Sequence, residues 1–179
     1  MELTGAYILS QVFTIIMYAL LGISYYAKDR KNILILSFLS LIANALAYVL
    51  LEAYTGLAMC VVAFFRNIVF LVDEKKNGIR DKINRKDVVW LIIFYVLIIA
   101  STVFTYDGLL SLLSVIATMI YTYSVWQKKT EVYKFLGIPV GILWVAYNTY
   151  VRSVFGVILE SILLICSITG YILEKRKEK

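Results

Sequence analysis

Seven long apolar segments fill most of this chain, separated only by short charged or turn-forming breaks. A helix that crosses the hydrocarbon core of a bilayer needs about 20 apolar residues, because that core is about 30 Å thick. A water-soluble domain of 179 residues could not bury a composition that is 61% hydrophobic. We therefore predict an all-α membrane protein, folded as a single transmembrane domain over residues 1–179. The seven predicted transmembrane helices cover 6–27, 33–51, 56–72, 88–106, 109–126, 135–151 and 154–173.

The lysine and arginine residues predict the direction of these helices. If the N-terminus lies outside, the inner breaks and the C-terminal tail contain all of the 18 cations except Arg66 and Arg152. Cytoplasmic loops of membrane proteins carry such an excess of Lys and Arg. The expected topology has the N-terminus outside, a cytoplasmic loop at 73–87 and a basic C-terminus in the cytoplasm.

The composition argues against an enzyme, a metal protein or a nucleic-acid-binding protein. The chain has no histidine, the commonest zinc ligand and proton shuttle, and its carboxylates do not follow metal-ligand spacings. Cys60 and Cys166 lie in apolar segments, where a disulfide is not expected. The net charge of +6 is divided into short runs between apolar segments. We expect no cofactor, no metal and no nucleic acid.

Polar residues recur on matching helix faces in the two halves of the chain. Helices 1–3 and 5–7 run in the same directions in the predicted topology, so residue n can be compared with residue n + 100. The sequence predicts two parallel three-helix repeats, at 6–72 and 109–173, joined by an inverting linker helix at 88–106. This 3+1+3 arrangement is a known transporter design. The matched faces are Gln11, Thr14, Tyr18 and Gly22 with Ser111, Ser114, Thr118 and Thr122; Ser37, Ser40, Asn44 and Tyr48 with Gly137, Gly141, Trp144 and Asn148; and Gly56, Cys60 and Asn67 with Gly156, Glu160 and Ser167.

The matched faces predict a pocket between the two repeats, near the middle of the bilayer. Such a pocket suits a small polar solute, neutral or mildly cationic, such as a sugar, a nucleoside or a vitamin. An ionisable group inside a membrane usually faces a cavity or a partner, which favours Glu160 as a site residue. The candidate substrate-binding residues are Gln11, Tyr18, Asn44, Asn67, Ser114, Thr118, Trp144, Asn148 and Glu160.

Several of these residues also have a purely structural interpretation. Glu160 either binds a substrate hydroxyl, a cation or a proton, or joins a neighbouring helix as a protonated acid. The asparagines could serve only to join helices, and Trp144 could belong to the core. Arg66 either extends its stem towards the headgroups or faces a cavity. Pro139 predicts a bend in helix 6, which is either a gate or a fixed kink.

Short motifs in both halves carry a resemblance to a known family. The motifs are Ala53-Tyr54-Thr55-Gly56-Leu57-Ala58-Met59 with Arg66, then Trp144-x-x-Tyr147-Asn148, Gly156-x-x-x-Glu160 and Gly170-Tyr171. Through these residues the chain resembles the YgjV family of bacterial inner-membrane proteins over most of its length. The resemblance implies a location in the bacterial inner (cytoplasmic) membrane.

The chain is also similar in plan to the SWEET sugar transporters, the PQ-loop proteins and the Pnu-type vitamin transporters. Those families place a tryptophan and asparagines at a central site. The similarity matches Trp144 to that tryptophan, and the matching amides are Asn44, Asn67 and Asn148. The chain departs from the sugar transporters in having no Pro-Gln pair and a single proline, Pro139, so matched proline hinges in both halves are not expected.

Two functions from different classes are compatible with this pattern. The leading hypothesis is a facilitative transporter of a small solute, with proton coupling through Glu160 as a variant. The alternative is a membrane receptor or assembly protein of the same fold, which would bind its partner through the 73–87 loop or the basic tail. Both functions are compatible with a homo-oligomer in the lipid bilayer.

Overall fold

A computed structural model describes residues 5–77, 83–105, 108 and 112–177 of the chain. Within these ranges the chain forms seven α-helices and no β-strand, which confirms the all-helical class predicted from the sequence. The helices are α1 (Gly5–Ser24), α2 (Arg30–Leu50), α3 (Tyr54–Asn77), α4 (Arg85–Thr105), α5 (Leu112–Trp126), α6 (Thr130–Tyr150) and α7 (Val154–Lys177).

Some helices continue beyond the apolar segments that predicted them. α3 extends through its charged end to Asn77, with Lys75 and Lys76 in its last turn. Positive side chains there interact favourably with the carboxyl end of the helix dipole. The predicted loop at 73–87 is therefore partly helical, since α3 and α4 both reach into it, and residues 78–82 lie outside the described part of the chain. α6 runs without interruption across its proline, so the predicted bend stays a prediction.

Two turns of the same geometry end α2 and α6. Glu52 and Arg152 adopt positive φ angles of 54° and 57°. Such angles are uncommon outside glycine, and a helix that ends in a tight left-handed turn requires one. In each turn the next residue's N–H donates back into the helix, to the Tyr48 carbonyl at 3.0 Å and to the Asn148 carbonyl at 2.9 Å. The predicted break between helices 6 and 7, at Arg152, is therefore a true helix boundary.

Each of the middle helices α2 and α6 packs between two neighbours. α2 packs against α1 and α3, and α6 packs against α5 and α7. α7 also contacts α1, while α4 packs against α5 and, less extensively, against α3. Small polar side chains share the interior with aromatic and aliphatic ones, and many large aliphatic side chains face outward. This distribution is typical of helices that pack within lipid. Fully buried examples are Ser10, Ser24, Ser37, Asn67, Thr122 and Ser167.

Within the described residues, four helical stretches are long and apolar enough to cross a membrane. They are Gly5–Ser24, Arg30–Leu50, Arg85–Val103 and Val154–Arg176, and Leu112–Trp126 is a shorter apolar helix. Most large side chains of α4 are exposed, as expected for a helix that faces lipid. A membrane-embedded helical protein is thus supported, and the count of seven spans stays a prediction.

Gly170 offers a test of the packing between α7 and the end of α1. A Cβ atom at Gly170 would collide with the backbone carbonyl oxygen of Tyr25. We expect Gly170→Ala to destabilise the protein by about 1–3 kcal/mol, as overpacking does, and to lower the midpoint of thermal unfolding in detergent. Gly5→Ala is the matched control, because a Cβ there meets nothing within 4 Å. Equal midpoints for the two variants would show that Gly170 is not in close contact.

Candidate functional site

Tyr18 and Glu160 join α1 to α7 inside the bundle. The Tyr18 hydroxyl donates a hydrogen bond to Glu160 Oε1 at 2.8 Å, and Glu160 is only 8% exposed. Further along the same two helices, a Cβ at Gly22 would lie 3.5 Å from Cys166 Sγ. Because the contacts advance in the same order along both helices, α1 and α7 run parallel. Two of the candidate residues are therefore in direct contact.

A second network joins α2, α3 and α5. Asn67 Nδ2 donates to Ser37 Oγ at 2.9 Å, and Ser37 Oγ lies 2.9 Å from the Tyr121 hydroxyl. Arg66 Nη1 donates to Thr122 Oγ1 at 2.8 Å, and Arg66 Nε donates to Asn67 Oδ1 at 3.3 Å. Asn67 is completely buried, so these bonds supply the partners that its amide needs.

Arg66 is a cation surrounded by neutral groups. Its side chain is 4% exposed, and its guanidinium carbon lies 5.2 Å from the centre of the Tyr121 ring. The guanidinium is therefore buried inside the bundle, against α5. No carboxylate within the described ranges forms an ion pair with it. A buried guanidinium without a counter-ion is suited to bind an oxygen-rich solute.

Three tyrosines link the second network to the end of α1. Tyr133 of α6 stacks on Tyr25 with ring centres 5.1 Å apart, and it meets Tyr121 edge-on at 6.4 Å. The Tyr133 hydroxyl also lies 2.7 Å from Ser24 Oγ. Aromatic pairs in these arrangements contribute beyond the apolar area that they bury. The tyrosine cluster thus fixes the end of α1 against α5 and α6.

Two of the remaining candidates, Gln11 of α1 and Thr118 of α5, donate hydrogen bonds within their own helices. Thr118 Oγ1 donates to the Ser114 carbonyl at 2.7 Å, a common arrangement in helices. Gln11 Nε2 donates to Ser10 Oγ at 3.4 Å. Ser111, which belongs to the matched polar face of helix 5, lies outside the described residues.

Three other candidates, Asn44, Trp144 and Asn148, make contacts apart from these two groups. Asn44 Nδ2 of α2 lies 3.3 Å from Cys60 Sγ of α3. Asn148 Nδ2 donates to the Trp144 carbonyl at 2.9 Å, and the Trp144 ring meets Tyr147 edge-on at 5.7 Å. The assignment of all nine candidates to one substrate site stays a prediction.

Sequence reasoning did not select four residues of the second network as site residues, and for one of these, Arg66, it left two interpretations open. Ser37 and Thr122 lie on predicted polar faces, so the periodic pattern could have identified them. Tyr121 lies next to the predicted polar face of helix 5. A tyrosine in an apolar helix usually indicates an interface or a core position. Only the contact between α2 and α5 shows that its hydroxyl completes the network.

A separate cavity, lined by both apolar and charged side chains, lies at the basic end of the bundle. Its volume is about 370 Å³, and it is enclosed by α3 and α4 with the ends of α2 and α5. Among the described residues, no three His, Cys, Asp or Glu side chains are close enough to hold a metal ion. The cavity is lined by Arg30, Ile68, Val69, Phe70, Val72, Asp73, Lys76, Lys86, Asp87, Trp90, Trp126 and Lys128.

Comparison with known proteins identifies the family. A family model for bacterial inner-membrane proteins, Imp-YgjV, matches residues 8–178. The chain belongs to the Imp-YgjV family. This match confirms the resemblance that its motifs carry and assigns the protein to a family of the bacterial inner membrane. No curated protein and no solved structure matches the chain. For this Imp-YgjV protein, the similarity to the SWEET, PQ-loop and Pnu-type transporters stays a prediction.

Replacement of Asn67 tests the second network of the Imp-YgjV chain. Asn67→Ala removes one partner of Ser37 and one partner of Arg66, both buried. We expect a loss of about 1–3 kcal/mol in stability, because buried polar groups are left unsatisfied. Thermal unfolding in detergent measures it. Asn32→Ala is the control, because Asn32 makes only an exposed 3.5 Å contact with Asp29. If the network did not contribute to stability, Asn67→Ala and Asn32→Ala would have the same midpoint of thermal unfolding.

Proposed function

We propose that this Imp-YgjV protein is a small-solute membrane transporter with a central site between two three-helix repeats. In this proposal α1–α3 form one repeat, α5–α7 form the other, and α4 is the inverting linker. Transport is facilitative, and a proton-coupled variant uses Glu160. The solute is small, polar and neutral or mildly cationic, such as a sugar, a nucleoside or a vitamin.

The observation that carries the proposal is a pair of matching contacts between the halves. Arg66 of α3 donates to Thr122 of α5, and Gly22 of α1 lies against Cys166 of α7. Adding 100 to Arg66 and to Gly22 gives Cys166 and Thr122. The second contact therefore joins the same two repeat positions as the first, but each position is supplied by the opposite half of the chain. Two parallel repeats related by an axis along the membrane normal predict this pattern.

Contacts within the halves support the same repeat. Arg30, the first residue of α2, pairs with Glu74, while Thr130, the first residue of α6, donates to Glu174 at 2.8 Å. Both pairs join equivalent positions under the shift of 100 residues. The two left-handed turns that end α2 and α6 obey the same shift. Repetition of both turns and contacts favours two copies of one unit over a chance likeness of apolar sequences.

The polar groups on the contacts between the halves supply a substrate site in this proposal. Glu160 accepts from Tyr18 between α1 and α7, and Arg66 donates to Thr122 between α3 and α5. A bound solute replaces these bonds, with its hydroxyls donating to Glu160 and its oxygens accepting from Arg66. Rocking of one repeat against the other then exposes the site to each side in turn.

The proposed orientation places the basic end of the bundle in the cytoplasm. Lys128 pairs with Asp73 at 2.8 Å and Lys134 pairs with Glu174 at 2.9 Å, so the breaks after α3 and α5 and the end of α7 share one end. Further lysines, such as Lys31 and Lys76, add to the positive charge there, and the positive-inside rule assigns such an end to the cytoplasm.

Labelling of single cysteines tests this orientation. With Cys60 and Cys166 replaced by serine, we expect Glu52→Cys to react with a membrane-impermeant maleimide in intact cells. Lys31→Cys should react only after permeabilisation, because the start of α2, where Lys31 lies, faces inward in the proposal. Both side chains are exposed, so folding does not limit the reaction. The reversed pattern of labelling would invert the topology.

Uptake into proteoliposomes tests the function. Sugars, nucleosides and vitamins are screened as labelled solutes, and the variants are then compared on a solute that is taken up. We expect Glu160→Gln to lower its flux by about tenfold or more, because one charge-assisted hydrogen bond to the solute is lost. Glu131→Gln should leave flux within about twofold, since Glu131 makes a more exposed ion pair with Lys175.

The two negative outcomes of this experiment have different meanings. Unchanged flux in Glu160→Gln would remove Glu160 from the site and leave transport intact. Absence of uptake across the whole panel, together with no thermal stabilisation of the purified protein by any of its solutes, would overturn the transporter proposal, because a ligand that binds only the folded state raises its apparent stability.

A further inference from the structure

The cavity at the basic end carries an excess of positive charge. Four of its lining residues are cations and two are acids. Arg30 and Lys128 are already paired, with Glu74 and Asp73 respectively. The proposed substrate site uses none of the residues that line this cavity, so its charge requires a separate explanation.

Lys76 and Lys86 supply the available charge of the cavity. Both side chains are exposed, one near the end of α3 and the other at the start of α4. Neither lysine forms an ion pair with any carboxylate of the described chain. The second acid of the lining, Asp87, is buried, and its Oδ2 accepts from the Asn84 N–H at 2.9 Å. The two lysines are therefore free to bind an anion.

The cavity also has an apolar wall that is displaced from its charges along the helix axis. On α3 the lining residues Ile68, Val69 and Val72 precede Lys76. At about 1.5 Å of rise per residue, Ile68 and Lys76 are roughly 12 Å apart along the helix. Trp90 of α4 continues this wall and is 42% exposed, as is common for tryptophan at the membrane interface. One end of the cavity is thus suited to hydrocarbon and the other to an anion.

We propose that this cavity binds an anionic phospholipid, with Lys76 and Lys86 contacting the headgroup phosphate and the apolar wall contacting the acyl chains. Basic pockets between membrane helices at the level of the headgroups have the chemistry that binds such lipids. A free phosphate would use the lysines alone and leave the apolar wall without an occupant. A lipid uses both ends.

A lipid in this cavity would bridge α3 and α4, which pack less extensively on each other than α4 does on α5. Two direct contacts beside the cavity are seen among the described residues. Phe70 meets Phe94 edge-on with ring centres 5.7 Å apart, and Trp126 Nε1 donates to the Asp87 carbonyl at 2.8 Å. The lipid would add contacts from both helices to one molecule and stabilise this end of the bundle.

Titration of the purified full-length protein with soluble short-chain lipids tests the proposal. Dihexanoyl phosphatidylglycerol should bind saturably and more tightly than dihexanoyl phosphatidylcholine. Removal of both lysines, in Lys76→Gln/Lys86→Gln, should weaken phosphatidylglycerol binding by about fivefold for each lysine, or roughly 25-fold in total. Both substitutions are at exposed positions, so the variant is expected to fold.

The matched control is Lys28→Gln/Lys31→Gln, which removes the same charge from exposed positions near the same end of the bundle but outside the cavity. It should bind phosphatidylglycerol as the unaltered protein does. Equal binding by the unaltered protein and Lys76→Gln/Lys86→Gln would overturn the proposal. So would an equal loss in the control, which would indicate a general charge effect, or equally tight binding of glycerol phosphate, which would indicate a soluble phosphate. None of these outcomes depends on whether the protein transports a solute.

Discussion

Within hydrocarbon there is no water to satisfy a polar group, so each one must find a partner in the protein. This requirement organises the interior of the bundle. Glu160 is buried and bonded to Tyr18, and Asn67 is completely buried between Ser37 and Arg66. The bonds connect different helices, except the one between Arg66 and Asn67, which are consecutive residues of α3. The polar residues therefore set how the helices rotate and meet, while the aliphatic residues cover the outside.

Buried cations have different partners at the basic end and in the middle of the bundle. At the basic end Arg30, Lys128 and Lys134 each have a carboxylate partner, which ties the ends of helices together. Arg66 has a hydroxyl, an amide and an aromatic ring around it instead. A buried cation that lacks a counter-ion is costly, and such a cost is commonly retained where a ligand is bound. The proposed transport site gives Arg66 that role.

One packed cluster lies between the central polar groups and the cavity at the basic end. Tyr25 and Tyr133 belong to it, and so do Phe70 and Trp126, which line the cavity. The interior of a protein is close-packed, so a change at one side of such a cluster is transmitted through it. A lipid bound at the cavity would therefore stiffen the same cluster that supports the central tyrosines, and the lipid composition would influence the motion of the proposed repeats.

Local properties of the sequence were enough to predict seven helices, the polar faces and the isolated charges of Glu160 and Arg66. Hydropathy and helical periodicity depend only on residues close together in the chain. Each membrane helix can therefore be predicted from its own segment of the sequence. The partners of those charges depended on the order and rotation of the helices. Tyr18 and Glu160 are separated by 142 positions, and nothing along the chain pairs them.

The direction of Arg66 and the existence of the cavity likewise came from the tertiary structure. A long arginine stem can reach either the headgroups or the interior, and the position of α5 placed Thr122 where the guanidinium bonds to it. The cavity arises because the α3–α4 pair leaves space beside the ends of α2 and α5. Composition and spacing determined which residues this chain has to satisfy in a membrane, and packing among non-adjacent helices determined what satisfies them.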